Sequence, residues 1–185
     1  MSFIDPNSID LNSIIKLASA FKELTAFANN IKNFFQKNFS EKDIKELLDK
    51  IESNDELKLQ LYYITDNVNK ELTVKKIKLW VNACKNLSNN IYTNEVFLKT
   101  LNNMSYLEYI VLQSYSDNPQ PIDIQLKSST LIAKNKLVAM GLLINENYIK
   151  KSKWEELNSE KEVETEYILS EFGTKMLEFL SDYKK

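Results

Sequence analysis

Along most of this chain apolar residues recur at offsets of three and four, and that rhythm breaks once, between Gly141 and Ser170. Helices that bury one face need this spacing and half-buried strands need alternation, so a mostly α chain with one β-hairpin is expected. Ile14, Leu17, Phe21, Leu24, Ala28, Ile31 and Phe35 form the stripe of a long first helix, widening toward Phe34 and Phe39. Ser40 and Asp43 have capping-box spacing ahead of Ile44, Leu47, Leu48 and Ile51. Asn54-Asp55 opens a helix carrying Leu57, Leu61, Ile64 and Val68. A further one carries Ile77, Trp80, Val81, Cys84, Leu87 and Ile91, and Asn89-Asn90 is expected to end it.

From about residue 94 the pattern changes. Phe97, Leu98 and Leu101 suggest a short connecting helix, and Ser105 with Glu108 caps another that stops at the DNPQP break starting at Asp117. Ser128 or Ser129 is expected to cap a helix bearing Leu131, Ile132, Leu137 and Val138, which Gly141 ends in a left-handed conformation. Leu142, Leu143 and Ile144 then read as a strand. Val163, Thr165, Tyr167 and Leu169 alternate as a second, and Ser170 caps a closing helix packed through Phe172, Met176, Leu177, Phe179 and Leu180. The expected organisation is a helical bundle over residues 1–100, for dimerisation or interaction, and an α/β module over 101–185.

Composition narrows the chemistry. The chain has no histidine, which removes imidazole acid/base relays, histidine-dependent triads and histidine-containing zinc sites. Its two glycines, Gly141 and Gly173, cannot build a phosphate-cradling loop. Asp43, Glu46 and Asp49 share helical spacing on an expected solvent face and make no convincing metal set; no catalytic residue, metal ligand or cofactor is assigned. Cys84, the single cysteine, falls on an apolar stripe and reads as a small buried hydrophobe, and one cysteine allows no intrachain disulfide. No run approaches the roughly 18 apolar residues of a membrane span, and the N-terminus lacks a signal peptide's basic flank and apolar run. A cytoplasmic protein without membrane insertion and without enzymatic activity is expected.

The order helix, turn, short helix, helix ending in glycine, strand, loop, strand, helix resembles a winged-helix domain over roughly residues 104–182, with Ile122, Ile124 and Leu126 as the short element. KNKLVAMGLLI is similar to the end of that family's third helix and its first wing strand. YILSEFGTKMLEFL is similar to its returning strand and the Ser-x-x-Gly start of its closing helix. The resemblance implies a third helix in the DNA major groove, placing Lys127, Ser128, Ser129, Thr130, Lys134 and Asn135 near double-stranded DNA, with Lys150, Lys151 and Lys153 presented by the wing. A transcriptional regulator whose N-terminal helices dimerise or sense an effector follows from that analogy.

Two features point elsewhere. All 24 basic residues are lysine, so the planar fork that reads guanine is missing. Glu155, Glu156, Glu160, Glu162, Glu164 and Glu166 make the wing acidic, and carboxylates facing phosphate repel it. Residues 101–185 hold 10 lysines and 13 acids, a balance of −3, against 14 lysines and 13 acids, or +1, in residues 1–100. The alternative is a non-enzymatic interaction or scaffold protein in which the winged helix does not bind DNA and Trp154, set in a polar loop, contacts another protein.

Overall fold

A computed structural model describes residues 34–51, 54–117, 119, 127–149 and 163–182. In chain order these form α1 (Glu41–Ile51), α2 (Asp55–Lys70), α3 (Val74–Lys85), α4 (Ile91–Asn103), α5 (Tyr106–Gln113), α6 (Lys127–Ala139), β1 (Leu143–Ile149), β2 (Val163–Leu169) and α7 (Glu171–Leu180). The fold is mostly helical with one two-stranded antiparallel sheet. The chain divides into two compact units, one ending at Asn102 and resuming at Phe179, the other spanning Asn103–Glu178. Of the expected first long helix, residues 34–38 are helical and the part before them lies outside the described residues.

Side-chain caps start α1 and α2 in the first unit. Ser40 Oγ accepts from the Asp43 N–H at 3.2 Å and the Asp43 carboxylate accepts from the Ser40 N–H at 3.0 Å, a reciprocal capping box on α1. Asn54 Oδ1 accepts from the Leu57 N–H at 3.1 Å and starts α2. Behind the caps, Ile44, Leu47 and Ile51, then Leu57, Leu61 and Ile64, then Trp80, Val81 and Cys84 bury the expected stripes. Phe34, Phe35 and Phe39 close one end of this core as a buried trio with ring centroids 5.2, 5.5 and 4.7 Å apart.

In the first unit one helix boundary differs from the sequence expectation. α3 stops at Lys85, and Asn90 begins a helix where the Asn89-Asn90 pair was expected to end one: its Oδ1 accepts from the Thr93 N–H at 3.2 Å. Ile91 is therefore the first residue of α4, and the short connecting helix around Phe97 is a 13-residue element. Asparagine favours caps because its side chain bonds nearby backbone, and that property serves either end of a helix.

A buried amide network fixes α4 against α2. Asn94 is 1% exposed; its Nδ2 donates to Gln60 Oε1 at 3.0 Å and to the Ser88 carbonyl at 2.7 Å, while its Oδ1 accepts from the Ser88 N–H at 3.1 Å. Gln60 Nε2 in turn donates to the Ile91 carbonyl at 2.8 Å. Every member has a partner, the condition under which a buried polar cluster specifies one packing arrangement.

In the second unit β1 pairs with β2 from Leu143↔Leu169 to Ile149↔Val163. β1 is longer than the Leu142–Ile144 segment expected, because Asn145, Glu146 and Asn147 carry weak strand propensity and their polarity read as loop. Here the sheet supplies the partner strand, and pairing outweighs propensity. The expected apolar element at Ile122, Ile124 and Leu126 lies outside the described residues.

Candidate interaction surface

Helix α6 is anchored at its C-terminal end. Near its C-terminal end Lys136 Nζ reaches Glu108 Oε2 at 2.9 Å and the Asn103 carbonyl at 2.8 Å. Glu108 also closes the capping box of α5, accepting from the Ser105 N–H at 2.7 Å, so one nearly buried carboxylate ties both helices together. Beyond Ala139 the Leu142 N–H bonds the Leu137 carbonyl and the Gly141 N–H bonds the Val138 carbonyl, each at 2.9 Å. That pair of bonds, with Gly141 at φ 73°, is a Schellman motif, the left-handed ending expected at this glycine. Ser170 then joins the turn to the closing helix: its Oγ accepts from the Gly173 N–H at 2.8 Å and donates to the Gly141 carbonyl at 2.7 Å.

The helix held in this way buries Ala133 and Leu137 and turns Ser128, Leu131, Ile132 and Asn135 outward. Those four follow offsets of three, four and seven and therefore form one stripe. Leu131 is 52% exposed and Ile132 68% exposed, so the middle of the stripe is aliphatic. Sequence reading put both on this helix together with Leu137 and Val138 and did not say which of them face outward. The signal that separates them is angular, since Ile132 sits about 100° around the helix from Ala133.

The residues expected to meet DNA are distributed unevenly. Lys127 is the first residue of α6; Ser128 and Asn135 are exposed; Ser129 and Thr130 are half-buried. Neither Ser128 nor Ser129 is a cap, because α6 begins at Lys127 and both lie within its first turn. Lys134 is half-buried, its ammonium 5.1 Å from the centroid of Tyr167 and 5.6 Å from that of Tyr115. Cation–π contact at that range holds the charge on the protein's own rings. The Tyr167 hydroxyl also hydrogen-bonds Asn135 Oδ1 at 3.2 Å. Lys150, Lys151, Lys153 and Trp154 lie outside the described residues.

The sheet adds one feature of each kind. Ile144 and Ile168, register partners, are 47% and 36% exposed. The next outward pair is Glu146 opposite Glu166, both exposed, and like charges facing across a ladder repel each other and any phosphate nearby.

Elsewhere the candidate chemistry is structural. Cys84 is fully buried in the first unit, and burial pushes its thiol far above the ordinary range against the weaker pull of Lys85 and Lys50. Asp43 caps α1 and pairs with Lys85 at 3.7 Å, and Glu46 pairs with Lys42 at 3.9 Å. Within the lysine run after α2, Lys76 is drawn inward onto Glu71 at 3.1 Å. Among the described residues no group of three or more His, Cys, Asp or Glu side chains is placed to hold a metal, and no helix is long and apolar enough to cross a membrane. No family model, curated protein or solved structure matches the chain.

Proposed function

We propose that the protein is a non-enzymatic interaction protein whose second unit, winged-helix-like in its order of elements, docks another protein through the exposed stripe of α6. The observation that carries this reading is the outward placement of Leu131 and Ile132 at the middle of the helix that a DNA-binding relative would insert in the groove. Groove-reading helices present polar and basic side chains at that position, and desolvating two aliphatic side chains against phosphate gains nothing. Against a protein the same two side chains supply anchor area, with Ser128 and Asn135 as polar rim. The occupied Lys134 and Lys136 and the opposed Glu146 and Glu166 fit the same conclusion.

The second reading, a DNA-binding transcriptional regulator, draws on Ser128 and Asn135, which are exposed on that stripe and could reach base edges. One pair of measurements separates the two. Fluorescence anisotropy with mixed duplex DNA at about 50 and 200 mM salt is expected to show negligible binding; tight binding that collapses at the higher salt supports the regulator instead. Crosslinking in cell extract with wild type and with the Leu131→Lys/Ile132→Lys double variant is expected to give one specific protein adduct that the variant loses with its circular dichroism unchanged. An adduct retained by the variant sinks the α6 assignment. Homodimerisation through the stripe would show as a variant-sensitive change in sedimentation.

A further inference from the structure

The first unit carries an apolar surface of its own. An open cleft of about 280 Å³ runs between α2 and α4, walled by Leu59, Tyr63, Ile91 and Leu98, with Glu56 toward one end and Lys99 toward the other. The two helices run in the same direction, since Gln60 bonds the Ile91 carbonyl at the start of α4 while Tyr63, further along α2, lines the cleft with Leu98 and Lys99, further along α4. At a rise of 1.5 Å per residue, the stretch from Glu56 to Tyr63 gives the cleft a length of about 10 Å, two helical turns. The apolar surface continues onto its shoulders. Leu59 is 69% exposed, and on α4 Tyr92 and Val96, four residues apart, are 82% and 51% exposed.

Size and shape favour a helical occupant. Small-molecule sites typically enclose about 300–1,000 Å³ and bury most of the ligand, whereas this cleft, at about 280 Å³, lies at the foot of that range and is open, with exposed Tyr92 and Val96 on the same helix as its wall. A groove two turns long between parallel apolar shoulders accepts the stripe of a third helix, with anchors at i, i+3, i+4 and i+7. Charge decides the rest. Lys99 is paired with Glu95 and Lys58 with Asp55, while the exposed Glu56 carboxylate has no ion-pair partner among the described residues. Both α2 and α4 begin at the Glu56 end, so a helix lying antiparallel to them brings its negative dipole end to their positive ones. Lysine and arginine are favoured in that last turn.

We propose that the α2–α4 cleft binds an amphipathic α-helix of a partner protein, antiparallel to α2 and α4, its apolar stripe in the cleft and a basic residue of its last turn on Glu56. This surface is separate from the α6 stripe, and the Leu131→Lys/Ile132→Lys variant leaves it intact.

The test uses the full chain and a synthetic peptide of about 16 residues, long enough to form helix, with leucines at i, i+3, i+4, i+7 and i+11 on an alanine and glutamine background and one lysine in its last turn. Titration followed by amide chemical shifts is expected to saturate, with perturbations confined to α2 and α4. Leu59→Lys and Val96→Lys, both at exposed positions, should each weaken binding about tenfold with unchanged circular dichroism. Glu56→Gln should weaken the lysine peptide about threefold and leave its Lys→Gln counterpart unaffected, which isolates the charge contact. The proposal falls if binding does not saturate, if shifts appear on other elements, or if a peptide with scrambled leucines binds equally well. It also falls if dodecylammonium fills the cleft as tightly as the peptide, or if the protein self-associates through Leu59 and Val96 without it.

Discussion

Glu71 shows how one side chain can tie a connection together. It sits just past α2, its Oε1 accepts from the Leu72 and Thr73 N–H groups at 3.1 Å each, and its Oε2 pairs with Lys76 at 3.1 Å, with both side chains largely buried. Burial works against its ionisation, but the Lys76 hydrogen bond, the two backbone donors and the Lys76 charge outweigh burial and hold its pKa below the ordinary 4.5. A carboxyl whose folded value is lowered favours the folded state when ionised. That contribution is complete above the ordinary value and is lost as pH falls through the lowered one. Urea midpoints of wild type and Glu71→Gln are therefore expected to differ at pH 7 and to converge as the solution is acidified below about pH 4. Equal midpoints at pH 7 would show that the contact contributes nothing.

At the scale of elements, the two glycines separate two uses of a missing side chain. At Gly141 an added Cβ meets nothing within 4 Å, so the requirement there is the positive φ alone. At Gly173 the Cβ would lie 2.2 Å from the Leu142 carbonyl oxygen and 2.8 Å from Leu169, because α7 crosses the turn after α6 almost at backbone contact. Gly141→Ala is expected to cost about 1 kcal/mol and Gly173→Ala about 2–3 kcal/mol. Thermal melts of the two variants check the order, and a reversed order would mean that α7 yields easily.

These junctions were legible from sequence, since Ser105 with Glu108, Asn54, Gly141 and Ser170 with Gly173 are local pairings whose geometry follows from spacing. Less local features were not. Nothing near Asn94 in the chain announces a partner 34 residues away at Gln60, and Leu131 and Ile132 carry the same letters whether buried or exposed. Asn90 was misread because an asparagine pair marks a helix end without saying which end. Of the candidate surface, the helix that bears it was foreseen and the aliphatic character of its outer face was not.

Across the whole molecule, sequence order and compact units do not coincide. Phe179 and Leu180 close α7 yet belong to the first unit, where Phe179 stacks on Phe97 with ring centroids 4.9 Å apart. Asn82 Nδ2 donates to the Leu180 carbonyl and Asn86 Nδ2 to that of Phe179, both at 2.9 Å. Phe179→Ala should cost about 3 kcal/mol, and hydrogen exchange is expected to quicken first in α3 and α4, far from the substitution in sequence. Exchange that quickens only in α7 would argue against this clasp. The same clasp bears on biosynthesis. During translation α3 and α4 leave the ribosome well before Phe179, so the face that Phe97 offers to that ring stays uncovered until the later stretch follows.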